Sequence, residues 1–344
     1  MKTKIGIFLL STIILASCGN VGNSLPSVAG NPFSLLVVMN DSAWKAPAGR
    51  TIVALFDQDM DGLPQSEPIM DMNQCNQTLF TDALKPSRNI LLTEISEKYS
   101  APKITYAKDK WAYPQAIVKI VAPNDTSFIS TINKYGPNIR EYFVRTERER
   151  RMKYLSENAN ENSKKEVADM FGIQIDMPQG LSKSTKRKNF YWITNDQAGV
   201  RQDIVIYSYP YTDKKTFSRD FIIAKRDSIL KNNIPGEIKG SYMSTEVKYV
   251  MPTFNEIWVN DGYCAELRGL WRMRNGAAMG GPFYSHTRLD EINQQVITIE
   301  AFVFAPGKSK RNTIRQLEAV VFSAKLPQEI NAIKEVEIVA DKKK

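Results

Sequence analysis

Gln295–Pro306 reads QVITIEAFVFAP, an apolar, β-rich run that stops at Ala-Pro and gives way to the helix-compatible stretch Ser309–Phe322. Gln115–Pro123 reads QAIVKIVAP and hands over in the same way to the polar run Asp125–Ala159. Both phrases read as a buried strand followed by a helix, and they suggest two related halves. Working outward, strands are expected at Phe33–Met39, Asn89–Ile95, Lys103–Ala112, Phe171–Met177, Phe190–Thr194, Asp203–Tyr209, Ser241–Tyr249, Asn255–Val259 and Cys264–Arg272. Helices are expected at Ala48–Phe56 and Thr216–Asn232, the latter with Phe217, Phe221, Ile222, Ala224 and Ile229 as its apolar positions. Asp125–Ala159 reads as one or two helices, interrupted at Gly136-Pro137, with Arg145–Arg151 on a solvated face. Strands cluster between helices without regular alternation. The expected class is therefore α+β, with antiparallel or mixed sheets and flanking helices, rather than a doubly wound sheet.

The N-terminus has its own chemistry. Met1–Lys4 carries two lysines, Ile5–Leu15 is almost wholly apolar, and the run ends Leu15-Ala16-Ser17-Cys18-Gly19. This is the order of an export signal, and the run is too short to span a bilayer comfortably. Its last four residues resemble a lipoprotein box, which implies lipidation of Cys18 and loss of residues 1–17. Two or three acyl chains anchor a protein stably where one does not. Residues 18–31 read as a flexible tether. No acidic residue follows Cys18 closely, and by resemblance to sorting signals this implies the outer membrane, facing the periplasm. The body is expected at 32–325, with halves at 32–160 and 165–325, and a charged tail at 326–344.

Composition narrows the rest. With 344 residues, 42% apolar and 24% charged, the chain is a folded globular protein of one large or two ordinary domains. The net charge is +9, but its densest basic run, Lys183–Lys188, is short and reads as a loop. No nucleic-acid motif accompanies it, so nucleic acid is not an expected partner. With Cys18 lipidated, Cys75 and Cys264 remain; they read as free buried thiols, with a disulfide the alternative.

Several phrases line up with one family: Gly62-Leu63-Pro64-Gln65 with Glu67-Pro68, Arg88-Asn89-Ile90-Leu91, Trp111-Ala112 with Pro114-Gln115, and Lys225-Arg226-Asp227-Ser228. Further along come Asn233-Ile234-Pro235-Gly236, Gly240-Ser241-Tyr242-Met243, Arg268-Gly269-Leu270-Trp271, Met279-Gly280-Gly281-Pro282-Phe283, and Lys310-Arg311 with Ile314-Arg315. Their order and spacing, from about Phe33 to Phe322, resemble the family catalogued as domain of unknown function 4837. Members of that family look like envelope lipoproteins of Gram-negative bacteria. The resemblance implies lipoprotein status and a single-family body, and it names no substrate.

The candidate sites follow. Asp57, Asp59 and Asp61 with Gly62 resemble the opening of a calcium loop, but position twelve is Pro68 and the acid falls one place early, at Glu67. A solvated acidic turn is the better reading, and no metal or other cofactor is expected. His286 is the sole histidine, which excludes a His-rich zinc site and leaves it as the only base for a Ser-His-Asp triad; Tyr284 and Ser285 beside it form no nucleophile elbow. The glycine loop Met279–Phe283 is a candidate ligand groove, with Trp271 and Phe283 as stacking faces, Arg268 as a charged contact, and Met279, Gly280 and Gly281 as its backbone; the alternative is a tight turn with the aromatics in the core. Glu67, Asp227, Glu237 and Glu266 are the acids available for a hydrolytic pair. The expected function is a non-enzymatic envelope lipoprotein that binds a partner protein or a glycan. The alternatives are a hydrolase of envelope glycan or peptidoglycan and an assembly factor for an outer-membrane complex.

Overall fold

The computed structural model describes residues 24–333. The signal segment, Cys18 and the tail beyond 333 lie outside the described residues. Two sheets organise the rest, and the class is α+β.

The first sheet holds β1 (Ser34–Val38), β2 (Asp71–Cys75), β3 (Asn89–Ile95), β4 (Lys103–Lys108) and β5 (Ala116–Ala122), in the order β2-β1-β3-β5-β4. Strands β2, β1, β3 and β5 run parallel, and only β4 is antiparallel. Both faces are covered, which is why β1 is a continuous apolar run rather than an alternating one. Leu35, Val37, Leu91 and Val118 pack under helices α2 (Pro47–Phe56) and α3 (Asp125–Glu157), against Ile52, Phe56, Phe128 and Phe143. Leu36, Val38, Ile90 and Ile117 face Phe80, Leu84 and Trp111, which come from loops. A five-residue helix, α1 (Asp41–Lys45), follows β1.

Helix α4 (Glu161–Phe171) leads into the second sheet. That sheet is antiparallel throughout: β6 (Lys183–Arg187), β7 (Phe190–Thr194), β8 (Arg201–Pro210), β9 (Tyr242–Glu246), β10 (Thr253–Val259), β11 (Gly262–Arg274), β12 (Gly280–Asp290) and β13 (Gln295–Phe304). Its order is β10-β11-β12-β13-β8-β7-β6, with β9 also paired to β11. Strand β13 alternates between two cores. Ile297, Ile299, Ala301 and Val303 join α4 and α6 (Arg311–Phe322), while Val296 and Phe302 join α5 (Arg219–Asn233).

Several expectations give way here. Asp125–Glu157 is one helix, one of the two readings expected, and what gives way is the interruption: the helix passes through Pro137, with Ile132 and Gly136 before it and Ile139 and Phe143 after it all buried. Phe171 ends a helix, and only 173–177 is extended, with Gln174 bridged to Lys325. Lys183–Arg187 is an edge strand rather than a loop; its charges suit an edge, which they protect from further pairing. Gly280–Asp290 is a strand in the middle of its sheet, so Met279–Phe283 is no loop. Pro26–Ala29, placed in the tether, bonds to the body: Tyr113 N–H donates to Pro26 O at 2.8 Å and Ala29 N–H to Pro86 O at 2.8 Å. Residues 327–333, placed in the tail, are helical, and Glu329 there pairs with Arg288. The likeness of the two opening phrases is local. β5 pairs parallel with β3 and antiparallel with β4, whereas β13 is antiparallel to both of its neighbours.

The halves interlock. Helices α3 and α6 are in contact, and Met60 of the first half is buried in the core of the second.

Candidate functional site

The expected ligand groove is core. Trp271 is buried against Phe302, and its indole Nε1 donates to Val303 O at 3.1 Å. Phe283 is fully buried. A Cβ on Gly281 would stand 2.0 Å from Val303 O, so glycine there serves strand packing. Gly280 pairs with Arg272, and Met279 packs at the edge of the same core. Arg268 lies over the Tyr284 ring and donates to Glu318 at 2.6 Å. Despite burial, Arg268 and Arg315 hold the Glu318 carboxyl below the usual carboxylate range.

The four acids are not brought together as a pair. Glu67 accepts the backbone N–H groups of Lys310 and Arg311. Asp227 accepts both the N–H and the hydroxyl of Thr245 at 2.7 Å. Glu266 accepts the Tyr284 hydroxyl at 2.5 Å and Asn255 Nδ2 at 2.9 Å. Glu237 is exposed in the turn after α5. His286 is buried, with Nε2 2.8 Å from the Tyr284 hydroxyl and the Phe322 ring against it. Burial, helped by Arg288, Arg148 and Arg268, pushes its pKa well down. Asp57, Asp59 and Asp61 are exposed; Ser66 donates to Asp59, and Met60 N–H closes the loop onto Glu67 O at 2.9 Å. No three His, Cys, Asp or Glu side chains are grouped to hold a metal among the described residues. Cys75 and Cys264 are free and buried, one in each sheet.

The cavity that does open lies elsewhere. In the order β2-β1-β3, the chain leaves β1 to one side and returns to the other. Adjacent parallel strands whose connections diverge leave a crevice outside their carboxyl ends, where open α/β sheets bind ligands. Here a cavity of about 1100 Å³ occupies that place, lined by Val38–Asn40 after β1 and by Thr93–Ser96 at the end of β3. Phe80 and Trp111 form one wall, edge to face at 5.5 Å, and the Lys110 ammonium stands 4.6 Å over the Trp111 ring. Both aromatics are only half-buried. Gln77, Thr78, Thr93 and Ser96 add amide and hydroxyl groups. Two carboxylates border the cavity, Glu94 and Asp125. Hydrogen bonds from Lys98 and Tyr99 hold the Glu94 carboxyl down at about 2, and Lys119 lies 3.2 Å from it. Only Trp111 of this set belongs to the phrases singled out in the sequence. The others come from separate segments.

A family model described as a domain of unknown function (DUF4837) matches residues 160–323. The resemblance to DUF4837 is supported. The DUF4837 segment covers α4 through α6, the second sheet with its helices, and contains the phrases from Lys225 to Arg315. A second model, also of a domain of unknown function (DUF8532), matches residues 28–156, which hold the first sheet, and the phrases at 62–68, 88–91 and 111–115 fall there. No curated protein matches the chain. No helix among the described residues is long and apolar enough to cross a membrane.

Proposed function

We propose that this chain is a lipid-anchored envelope protein that binds its ligand without transforming it. In this reading Cys18 carries the lipid, the outer membrane holds it, and the body faces the periplasm. The ligand seat is the crevice at the carboxyl ends of β1 and β3. Its wall of Phe80 and Trp111, beside amide and hydroxyl groups, suits a glycan: aromatic faces meet the apolar face of a sugar ring and the polar groups meet its hydroxyls. That crevice is the observation that carries the reading. The engagement of Glu67, Asp227 and Glu266 with other partners also favours binding over hydrolysis.

The test is titration of the full chain, in detergent, with peptidoglycan fragments and surface oligosaccharides, read by tryptophan fluorescence. Trp111→Ala is expected to weaken binding by about tenfold or more, the scale of one stacking anchor. Glu94→Gln with Asp125→Asn is expected to leave the bound glycan intact and its affinity within a few-fold. Turnover of a glycan by the natural chain, lost in that double variant, would make the hydrolase the correct reading. Capture of one specific envelope protein, dependent on Trp111 and with no glycan bound, would make it an assembly factor. The anchor is tested separately, by acyl labelling of the natural chain against Cys18→Ala.

A further inference from the structure

A second cavity, of about 200 Å³, lies on the seam between the two matched segments, at the opposite ends of the same strands. Phe33, just before β1, and Arg88, just before β3, form its floor; Arg150, Arg151 and Tyr154 of α3 and Arg315 and Gln316 of α6 form its walls. Four guanidinium groups thus line it against one carboxylate, Glu147.

That carboxylate is already used. Arg88 donates to it twice, Nε at 2.8 Å and Nη2 at 2.7 Å, and Arg150 and Asn89 add bonds at 2.9 Å and 2.6 Å. Arg315 shares Glu318 with Arg268. The Arg151 side chain makes no hydrogen bond or ion pair among the described residues and lies 5.0 Å from the Tyr154 ring. The Nε atoms of Arg150, Arg151 and Arg315 are buried without a partner, and the Arg150 side chain is only 8% exposed. Desolvation pushes all three guanidinium groups below their ordinary pKa. A guanidinium left without an ion pair in a desolvated site, as Arg151 is, is unfavourable unless an anion neutralises it. Guanidinium groups offer paired donors in a plane, a geometry that fits the oxygens of a phosphoryl group.

We infer that the seam cavity is a binding site for a phosphoryl dianion, held by Arg88, Arg150, Arg151 and Arg315. The volume, about 200 Å³, is ample for one such group. The site stands apart from the crevice and does not depend on the glycan reading.

Arg151 is the residue to change, because it has no protein partner to lose. The full chain in detergent is unfolded by heat with increasing inorganic phosphate, against chloride at matched ionic strength. The natural chain is expected to gain a saturable rise in midpoint. Arg151→Met is expected to weaken the apparent affinity by about tenfold or more, with Arg151→Lys between the two. Without phosphate, Arg151→Met is expected to be at least as stable as the natural chain, since it relieves repulsion. A rise that does not saturate, or is equal in all three proteins, is a general salt effect and overturns the site. Flotation of the full chain carrying Cys18→Ala, which has no acyl group of its own to insert, with vesicles containing phosphatidic acid separates the sources. Beside a saturable response to free phosphate, flotation that depends on Arg151 assigns the phosphoryl group to a lipid headgroup, and flotation that does not depend on it assigns the group to a soluble phosphate.

Discussion

Glu67 and Arg311 stand 244 residues apart in the chain, yet the Glu67 carboxylate accepts the Arg311 backbone N–H at 2.9 Å. It also accepts that of Lys310 at 2.7 Å. The first half thus supplies the N-terminal cap of α6, a helix of the second half, where no side chain of α6's own N-cap position does so. A carboxylate there satisfies orphan donors and meets the positive end of the helix dipole. Glu67→Ala is expected to cost about 1–2 kcal/mol, the scale of a lost cap. Chemical denaturation checks it, and both halves should shift together. Separate transitions for the two halves would contradict the interlock.

Arg226 and Glu300 are fully buried and share two hydrogen bonds of 2.7 Å, with Arg226 also donating to Thr245 at 2.8 Å. Removing one partner strands a charge in a dry core. Arg226→Met and Glu300→Gln are each expected to destabilise by about 3–5 kcal/mol, and Arg226→Met with Glu300→Leu by much less than their sum. A double-mutant cycle in urea measures this. Strict additivity would show the pair to be uncoupled.

Stability should fall on acidification through His286. Its folded pKa lies well below the usual imidazole value of 6.5, so the unfolded chain takes up a proton that the fold does not. Its contribution is complete above 6.5 and is lost as pH drops below that, by up to about 1.4 kcal/mol per pH unit. Asp203 acts oppositely. Burial raises its pKa from 3.8 to about 6, so its contribution is present below 3.8 and lost as pH climbs through 6. His286→Gln should flatten the acid slope, and Asp203→Asn should steepen it between 3.8 and 6. Denaturation midpoints across that range test both signs.

The thiols should be silent in the native protein. Burial pushes the pKa of Cys264 far up and that of Cys75 up as well. Thiolate is the reactive form, so an aromatic disulfide reagent is expected to reach both only after unfolding. Rapid native labelling of Cys264 would mean that β11 opens locally.

Much of the fold was legible because burial on two faces writes long apolar runs. SLLVV, NILLTEI, AIVKIVA and QVITIEAFVF are strands in both readings. The missed elements are polar. DMNQC and KSTKR are edge strands whose outward side chains face water, and ENSKKEVADMF shows only Val167, Met170 and Phe171 as large apolar anchors, although Asn160 before it and Gly172 after it were usable end signals. β12 was hidden because its glycines suggested a loop, while they allow close approach, Gly281 to Val303 of β13 and Gly280 to Trp271 of β11. Arg145–Arg151 looked solvated because charge usually is; Glu147 and Arg150 are buried because Arg88 and Asn89 reach them from the start of β3. The phrases did mark Glu67, Arg88, Arg226 and Arg268, but their partners lie too far along the chain for spacing to reveal them.

Strand β11 has one outer edge and two short partners on it: β10 along Gly262–Arg268 and β9 along Leu270–Arg274. Between them, Pro252 packs on Gly269, where a Cβ would come within 2.9 Å. An uninterrupted thirteen-residue edge would offer a ready template to any passing extended backbone. Splitting it closes that opportunity from within, so the longest strand of the molecule is also shielded against runaway polymerisation.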